Sequence, residues 1–477
     1  MMRTWNRTKL VATVGPACRK PEEIKALVNN GVSVFRINCS HGDHADHISF
    51  VSHIRQVNDQ LHTHCAIMFD LQGPKIRLGR IENDEFRLPE GGKLTLTTRK
   101  CIGNKDRVHI SYSGFPKDVK KGDKVLLDDG KIELVVLTSN GRDEVQLRAL
   151  NAGRILSNKG VNLPDTLIGL PSLTSKDLRD LELAIELKAD WIALSFVRSA
   201  RDVVQLRKIL RKRNCDARII SKIEKPQAIA HLDEIISASD AVMIARGDLG
   251  VEMPIENVPM IQKKIANKCI KAARPVIIAT QMMESMIEQP YPTRAEVTDV
   301  ANAIIDGADA VMLSGETAVG RHPAKVVEMM QKIIRNIETE TLIYNKDLTA
   351  DRQSKTFLSD AICYNACKIA ADVEATAIIG MTVSGYTAFM ASSYRPMARI
   401  FIFSNKRSLL TVLNLVWGVV GFFYDKMEST DQTFEDVQQI LKKDRLVRKG
   451  DVVVNMASMP LHSKGRTNTV KVTVING

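Results

Sequence analysis

The sequence predicts an α/β protein built on a (β/α)8 TIM barrel, and two observations support this class. Eight short apolar runs rich in Val, Ile, Leu and Ala end in polar residues or glycine, and a helix-length segment follows each of them. Runs without period-2 alternation are typical of strands buried on both faces of a parallel sheet. Eight strand–helix units close such a barrel, and its active site lies at the carboxyl ends of the strands. The predicted strands are 9–15, 32–38, 65–70, 190–196, 218–224, 241–246, 275–280 and 310–314.

The segment between the third and fourth predicted strands has a different pattern of apolar and polar residues. In segments 124–137 and 144–150 apolar and polar residues often alternate, and Asp129-Gly130 is typical of a hairpin turn. We therefore predict an inserted all-β domain over 72–169, at the mouth of a barrel formed by 1–71 and 170–346. From that position the insertion can close over the site as a lid.

A second α/β pattern follows the barrel. Apolar runs at 375–382, 399–404, 419–424, 451–455 and 469–475 alternate with helical segments, which predicts a C-terminal α/β regulatory domain over 347–477. Its first strand ends in a loop with the hydroxyls of Thr382, Ser384 and Thr387 and a glycine before a helix. A helix N-terminus of this kind favours phosphate, and an ordinary N-cap is the alternative.

Charged residues stand at two of the strand ends. Lys222 and Glu224 are two residues apart, so their side chains point to one side of a strand, and Asp248 ends the next run. Two carboxylates and an ammonium suit a divalent metal that holds a phosphorylated substrate. A structural salt bridge is the alternative, but buried charge is costly outside functional or tightly paired sites.

Composition excludes several other classes of function. The net charge of +12 is dispersed and only 5% of residues are aromatic, which favours anionic small-molecule substrates over nucleic acid. Eight scattered cysteines and an N-terminus without a secretory apolar segment predict a cytoplasmic protein. The uncharged run 408–424 contains Asn414, Gly418 and Gly421, so we expect a buried helix and strand and no membrane segment.

Three histidines near the second strand resemble a metal cluster. His41, His44 and His47 stand close to Asp43 and Asp46. On a helix, however, spacings of three and six residues fan around the surface. We therefore expect His44 and His47 to be solvated.

Long motifs in a fixed order carry a family resemblance over almost the whole chain: the sequence resembles the pyruvate kinases of bacterial type. The matching segments are 36–42, 70–77, 158–164, 220–224, 245–250, 279–286, 292–296 and 314–318. The resemblance implies transfer of phosphate from phosphoenolpyruvate to ADP, giving pyruvate and ATP, the last step of glycolysis.

The resemblance also implies a role for each site residue. It implies that Glu224 and Asp248 bind Mg²⁺, with Mn²⁺ as a substitute, and that Lys222 stabilises the phosphoryl group in flight. Thr280, together with Ser314 and water, would protonate the enolate. Further implied contacts are Arg36 on the substrate phosphate, the backbone amides of Gly247 and Asp248 on the substrate carboxylate, and Asn38, His41, Arg77 and Lys159 on the nucleotide, with Asp129 on the lid.

The sequence departs from the family at its monovalent-cation site. Potassium is a family cofactor, bound by oxygens at positions that match Asn38, Ser40, Asp70 and residue 71. Leu71 offers no side-chain oxygen, and Lys75 stands where potassium-dependent members carry glutamate. An ammonium there can replace the charge of the ion, so we predict that potassium is not required.

Regulation and assembly are further implications of the resemblance. It implies a homotetramer and a phosphorylated allosteric effector, with Lys464 and Arg466 as helpers of the phosphate loop. Tyr386 replaces a common loop arginine, which favours AMP or a sugar monophosphate over a sugar bisphosphate.

Two rival functions remain open at this stage. One is a catalytically weak relative that senses phosphorylated metabolites, and the intact Lys222, Glu224, Asp248 and Thr280 argue against it. The other is a phosphoenolpyruvate enzyme with a phosphohistidine intermediate. None of the ten histidines has the mobile context that such an intermediate requires.

Overall fold

The chain begins with three strand–helix units of a parallel barrel. The computed structural model describes residues 6–166, 169–346, 348–426, 429–459 and 466–476. Its first elements are β1 (Lys9–Thr13), α1 (Pro21–Asn29), β2 (Val34–Asn38), α2 (His44–Leu61) and β3 (Ala66–Asp70).

An insertion of mainly β structure follows β3. Its elements are β4 (Glu85–Leu88), β5 (Lys93–Thr97), β6 (Arg107–His109), α3 (Phe115–Asp118), β7 (Lys124–Leu127), β8 (Ile132–Ser139), β9 (Glu144–Ala149), β10 (Gly153–Leu156) and β11 (Val161–Asn162). They form a six-stranded sheet and a two-stranded sheet around their own apolar core. Strands β7 and β8 pair antiparallel across the predicted Asp129-Gly130 turn, so the hairpin is confirmed.

The barrel then resumes, and it closes. The remaining elements are α4 (Ser175–Glu186), β12 (Trp191–Leu194), α5 (Ala200–Lys212), β13 (Arg218–Ile223), α6 (Pro226–Ala230), α7 (Leu232–Ala238), β14 (Ala241–Ala245), α8 (Arg246–Glu252), α9 (Val258–Lys271), β15 (Val276–Ala279), α10 (Arg294–Ile305), β16 (Ala310–Leu313), α11 (Gly315–Ala318) and α12 (Pro323–Ile337). The order around the barrel is β1-β16-β15-β14-β13-β12-β3-β2, with all pairs parallel. All eight predicted strands are therefore confirmed.

The insertion does not separate the two strands that flank it. Strand β3 pairs directly with β12, with Met68 opposite Trp191 and Asp70 opposite Ala193. Both strands are buried over their whole length, as their unbroken apolar sequences predict. The barrel mouth at Asp70 therefore keeps its geometry while the chain leaves it and returns.

The C-terminal region is a second α/β unit. Its elements are α13 (Phe357–Asp372), β17 (Ala377–Met381), α14 (Tyr386–Ser393), β18 (Arg399–Ser404), α15 (Arg407–Leu413), β19 (Val419–Phe423), α16 (Thr430–Lys443), β20 (Val452–Ala457) and β21 (Thr469–Val474). The sheet order is β19-β18-β17-β20-β21, and only β21 runs antiparallel to its neighbour. The run 408–424 contributes α15 and β19, as predicted.

This second unit packs against the amino ends of the barrel strands. Arg395 and Asp309, which precedes β16, form a buried ion pair of 2.9 Å. Lys9 Nζ, at the start of β1, donates a 2.7 Å hydrogen bond to the carbonyl oxygen of Val419. The contact therefore lies at the mouth of the barrel opposite to the predicted site. Within the described ranges no helix has the length and apolar character needed to cross a membrane.

Candidate active site

Lys222 lies near the carboxyl end of β13 in a buried cluster of polar groups. Its Nζ lies 2.9 Å from Glu224 Oε1 and 3.2 Å from Asp70 Oδ1. It also donates a 2.7 Å hydrogen bond to the hydroxyl of Ser195, which directly follows β12. Three neighbouring strands, β3, β12 and β13, thus meet at one ammonium group.

Arg36 on β2 extends this cluster. Its Nε donates a 2.7 Å hydrogen bond to Asp70 Oδ2, and its Nη1 donates a 3.1 Å bond to Thr13 Oγ1. Asp70 is buried and holds both Lys222 and Arg36. Two cations fixed by one carboxylate form a rigid site for an anion.

Burial and neighbouring charges oppose each other in the cluster. Burial alone lowers the pKa of Lys222, but the carboxylates of Asp70 and Glu224 outweigh it and raise the pKa above its ordinary value. Burial raises the pKa of Asp70, yet Lys222 and Arg36 bring it below its usual range. The pKa of Glu224 is raised, by burial and by the negative charge of Asp248. Burial and the charge of Asp248 therefore act together against the ionised form of Glu224.

Asp248 and Gly247 lie in the first turn of α8. The amide of Gly247 donates a 2.8 Å hydrogen bond to Thr280 Oγ1, and this hydroxyl donates a 2.6 Å bond to the carbonyl oxygen of Ala279. Thr280 has a φ of 69°. This is a strained conformation for a β-branched residue, and such strain is concentrated at functional sites. The structure therefore brings Gly247, the neighbour of Asp248 in α8, to Thr280.

Ser314 directly follows β16, and Thr280 directly follows the neighbouring strand β15. The hydroxyl of Ser314 is buried, and its Oγ has no hydrogen-bond partner within the described part of the chain. Its backbone amide donates a 2.6 Å hydrogen bond to Glu316 Oε2. An unpartnered buried hydroxyl is a place for a water or ligand contact.

The predicted nucleotide residues lie towards the insertion. Burial, together with the positive charges of Arg36, Arg77 and Lys75, lowers the pKa of His41. All three cations therefore act on the His41 ring through their charge. Arg77 is fixed by a 3.1 Å hydrogen bond from Nη1 to the carbonyl oxygen of Asn158.

Lys159 and Asp129 lie where the insertion meets the barrel. Lys159 Nζ forms a 2.8 Å ion pair with Asp128, next to Asp129 in the turn between β7 and β8. A methyl group built on Gly130 in the same turn would lie 3.8 Å from Val251 of α8. The turn of the insertion thus lies close to the helix that carries Asp248.

Lys75 lines a small cavity of about 30 Å³ between the insertion and the barrel, together with Asp248 and Lys225. Lys225 forms a buried ion pair with Glu252, whose Oε1 also accepts a 2.8 Å hydrogen bond from Asn162 Nδ2 of β11. Polar contacts therefore connect the last strand of the insertion to the barrel mouth.

Oxygens at three of the four positions predicted for a monovalent cation already have partners in the protein: Asn38, Asp70 and Leu71. Asn38 Oδ1 accepts a 3.1 Å hydrogen bond from the amide of Ser40. Asp70 pairs with two cations, as described above. Leu71 is buried, and its carbonyl oxygen accepts a 2.6 Å hydrogen bond from Ser195 Oγ.

One expectation about the three histidines is wrong. His47 is buried and donates a 3.0 Å hydrogen bond from Nε2 to the carbonyl oxygen of His41, because it lies on the α2 face that packs Phe50 and Val51 inward. His44 is half exposed and bonds Asp180. No group of three or more His, Cys, Asp or Glu side chains in the described ranges can hold a metal.

The predicted effector loop lies between β17 and α14. Thr387 is buried and its hydroxyl is 2.7 Å from that of Thr467. Thr382 Oγ1 accepts a 3.0 Å hydrogen bond from the amide of Gly385. Ser384 is exposed. Arg466 donates to the carbonyl oxygen of Lys355, and Lys464 lies outside the described residues.

Ser195 is the site residue that the sequence reasoning missed. It joins Lys222 to the end of β3, and its hydroxyl lies 3.4 Å from Asp70 Oδ1. The available signal was its position at the polar end of the predicted strand 190–196. A single serine is common in that context, so only the barrel register identifies it.

Comparisons with known proteins agree with this architecture. The family model for the pyruvate kinase barrel domain matches residues 5–327, and that for the pyruvate kinase alpha/beta domain matches 360–473. The chain is 41% identical over 469 residues to a pyruvate kinase of Corynebacterium glutamicum, covering 98% of both chains. It is 40% identical over 474 residues to one of Geobacillus stearothermophilus, covering 98% of this chain and 80% of the relative.

A solved structure shows the same fold. The crystal structure of a pyruvate kinase from Cryptosporidium parvum superposes with a TM-score of 0.92 at 34% identity, covering 98% of this chain and 96% of the other. Both family models, the relatives and the fold agree, and the chain therefore belongs to the pyruvate kinase family.

Proposed function

We propose that this chain transfers the phosphoryl group of phosphoenolpyruvate to ADP at the cluster around Lys222. The observation that carries the proposal is the buried ammonium of Lys222, held between Asp70 and Glu224 at the ends of three strands. Its raised pKa keeps it charged. A fixed, desolvated positive charge stabilises a phosphoryl group in flight more strongly than it stabilises the ground state.

Arg36 and α8 hold the two anionic ends of the substrate in this proposal. Arg36 binds the substrate phosphate, and Asp70 and Thr13 keep its guanidinium in place. The amides of Gly247 and Asp248 bind the substrate carboxylate. The Gly247 amide now donates to Thr280 Oγ1, so carboxylate binding releases that hydroxyl.

The donor set around Glu224 fits a divalent cation. Glu224 and Asp248 are oxygen ligands, and burial together with the negative charge of Asp248 raises the pKa of Glu224, so a cation beside both carboxylates would favour their ionised form. Mg²⁺ is often held by one or two carboxylates and completed by substrate oxygens, and Mn²⁺ accepts the same ligands. When bound, the metal supplies positive charge to the substrate phosphate and carboxylate.

Thr280 and Ser314 assist protonation of the enolate in this proposal. Departure of the phosphoryl group breaks the bond between phosphorus and the enol oxygen and leaves an enolate, which takes a proton at carbon to give pyruvate. The released Thr280 hydroxyl and the unpartnered Ser314 hydroxyl are positioned to order the donor water.

The insertion, predicted over 72–169, acts as a lid in the proposed function. Asn38, His41, Arg77 and Lys159 contact ADP, and Asp129 lies at the lid tip. Two observations support this role: burial and the charges of Arg36, Arg77 and Lys75 lower the pKa of His41, and the turn at Gly130 lies close to Val251. Closure of such a lid excludes water from the transferring phosphate.

The monovalent-cation region works without potassium in this proposal. Asn38 and Asp70 are already engaged in the protein, Leu71 has no oxygen to contribute from its side chain, and Ser40 remains as the fourth position. Lys75 supplies a fixed positive charge beside the nucleotide. The low pKa of His41, caused partly by Lys75, supports a position near that site.

Regulation and assembly complete the proposal. A phosphorylated effector binds the loop with Thr382, Ser384 and Thr387, and the enzyme is a cytoplasmic homotetramer. The exposed Ser384 and the helix that starts at Tyr386 support the loop site.

A coupled assay tests the proposed reaction. Purified protein with phosphoenolpyruvate, ADP and Mg²⁺ should form pyruvate at about 1–100 turnovers per second, the usual range of kinases, and chelation of the metal should stop it. Substrate binding without turnover would favour the sensor function. Label from [³²P]phosphoenolpyruvate on a histidine would favour the phosphohistidine enzyme.

A further inference from the structure

The backbone that carries Thr280 is strained over two consecutive residues. Thr280 has a φ of 69° and Gln281 a φ of 55°, and neither residue is a glycine. Among the residues that the structure describes, Thr280 is the only β-branched one with a positive φ. Such a conformation persists only where the surrounding structure holds it in place. The turn at Thr280 therefore needs support from outside its own segment.

One side chain, that of Arg246, supplies this support. Arg246 is the first residue of α8, and its Nη2 donates a 2.8 Å hydrogen bond to the carbonyl oxygen of Thr280. The same nitrogen donates a 3.2 Å hydrogen bond to the carbonyl oxygen of Gln281 and lies 3.0 Å from the sulfur of Met282. Three consecutive residues of the turn thus contact one guanidinium group.

Asp299 on α10 fixes this guanidinium from the other side. Its Oδ1 lies 2.6 Å from Arg246 Nη1, and the side chain of Arg246 is only 11% exposed. A charge-assisted hydrogen bond of this length holds the planar guanidinium in one orientation. A salt bridge that only stabilises the barrel is the alternative. The bonds of Nη2 to both strained residues favour a more specific role.

The bond from Arg246 becomes more important when substrate binds. In the structure the amide of Gly247 also holds Thr280, through its 2.8 Å hydrogen bond to Oγ1. In the proposed function that amide turns to the substrate carboxylate and releases the Thr280 hydroxyl. Of these two hydrogen bonds from α8 to Thr280, the one from Arg246 then remains.

We propose that Arg246 is a positioning residue for the proton step, acting through the strained turn that carries Thr280. This inference rests on the proposed function. The guanidinium holds the backbone of Thr280, so that the released hydroxyl stays where it orders the donor water. This role involves no contact between Arg246 and the phosphoryl group. Loss of Arg246 should therefore slow protonation and leave phosphoryl transfer intact.

Measurement of two half-reactions in Arg246→Met and in the unchanged protein tests the proposal. In D₂O with Mg²⁺ and ATP, a proton leaves the methyl carbon of pyruvate, the electron pair of the broken bond forms the enolate, and a deuteron from the solvent returns to the carbon. Proton NMR measures this exchange, which Arg246→Met should slow about 10²-fold. Label transfer from [³²P]phosphoenolpyruvate to ATP in a single turnover should stay within about threefold.

Arg207→Met is the matched control. Arg207 Nη2 lies 2.9 Å from Asp240 and donates a 2.7 Å hydrogen bond to the carbonyl oxygen of Ala238, so it too joins a carboxylate to a backbone carbonyl group. These contacts precede β14, at the end of the strand opposite to Arg246. The control should leave the ratio of exchange to phosphoryl transfer unchanged.

Asp299→Asn is a second variant, and it keeps the proposal testable if Arg246→Met does not fold. It preserves the shape of the partner and removes its charge, so the guanidinium is held less firmly. Exchange should therefore slow about fivefold, again without loss of phosphoryl transfer. Thermal unfolding of each variant verifies that it is folded.

Three results would overturn the proposal. Exchange in Arg246→Met equals that of the unchanged protein, exchange and phosphoryl transfer slow by the same factor, or Arg207→Met lowers their ratio as much as Arg246→Met does. If Arg246→Met does not fold, unchanged exchange in Asp299→Asn overturns it. Failure of the unchanged protein to form pyruvate would refute the proposed function, and this inference with it.

Discussion

Replacement of Lys222 by methionine should impair catalysis and stability for two separable reasons. The change removes the ammonium that lies 2.9 Å from Glu224 and 3.2 Å from Asp70. Asp70 keeps its 2.7 Å pair with Arg36. Glu224 loses its cation and remains beside the negative charge of Asp248.

The sizes of the two effects follow from the burial of the cluster. Loss of one preorganised charge at a transition state typically costs ~10²–10³ in rate, or about 2.7–4 kcal/mol. Breaking a buried ion pair by removing one partner costs about 3–5 kcal/mol of stability. Because Glu224 can take up a proton, and Mg²⁺ can neutralise both carboxylates, we expect the stability loss at the lower end of that range and partial recovery with metal.

A double variant separates the two effects. Glu224→Gln combined with Lys222→Met removes the carboxylate that the single change leaves unpaired, so it should recover part of the stability and none of the activity. Urea unfolding with and without Mg²⁺ measures the first quantity, and the lactate dehydrogenase-coupled assay measures the second. Turnover of Lys222→Met within tenfold of the unchanged protein would refute the assigned role of Lys222.

Four further predictions concern the metal, potassium, the domain contact and pH. Glu224→Gln should raise the Mg²⁺ concentration for half-maximal activity at least tenfold, and an unchanged value would count against its role as a ligand. The activity of the unmodified protein should be equal within twofold in potassium chloride and tetramethylammonium chloride, and Lys75→Glu should lose activity. A many-fold rise in the activity of the unmodified protein when potassium is added would contradict potassium independence. Arg395→Met should reduce the free energy of unfolding by about 3–5 kcal/mol, because it leaves Asp309 buried without its cation, and a loss below 1 kcal/mol in urea unfolding would disprove it. Burial raises the pKa of Asp190 to about 6, so the folded state binds its proton more tightly than the unfolded state does. The free energy of unfolding should therefore fall by about 1 kcal/mol from pH 5 to pH 7 relative to that of Asp190→Asn. Equal pH profiles of the two proteins would show that the pKa of Asp190 is not shifted.

The barrel could be predicted from the sequence because its strands are buried on both faces. Runs such as Ala241–Ala245 lack the alternation of apolar and polar residues that indicates a sheet with one exposed face. The polar residues at the ends of these runs indicate which mouth of the barrel carries the site. The hairpin at Asp129-Gly130 was predictable from its turn residues, which adopt φ values of 57° and 85°. Residues close together in the sequence were therefore sufficient to predict both the barrel strands and the hairpin.

Contacts across the barrel could not be predicted in the same way. Ser195 meets Lys222 and Asp70 only because β3, β12 and β13 are neighbours, although Asp70 lies 125 positions away in the sequence. The spacing of His47 to His44 predicts a solvated ring. In the structure His47 lies on the face of α2 with Phe50, Val51 and Ile54, and that face packs on the barrel, so the ring is buried.

Direct phosphoryl transfer at Lys222 is the central claim, and a rapid-quench single turnover with [³²P]phosphoenolpyruvate, excess enzyme, ADP and Mg²⁺ tests it most directly. The label should pass from substrate to ATP in one phase with none bound to protein, and Lys222→Met should slow that phase at least a hundredfold. A labelled protein intermediate, or an unchanged rate in Lys222→Met, would contradict the claim.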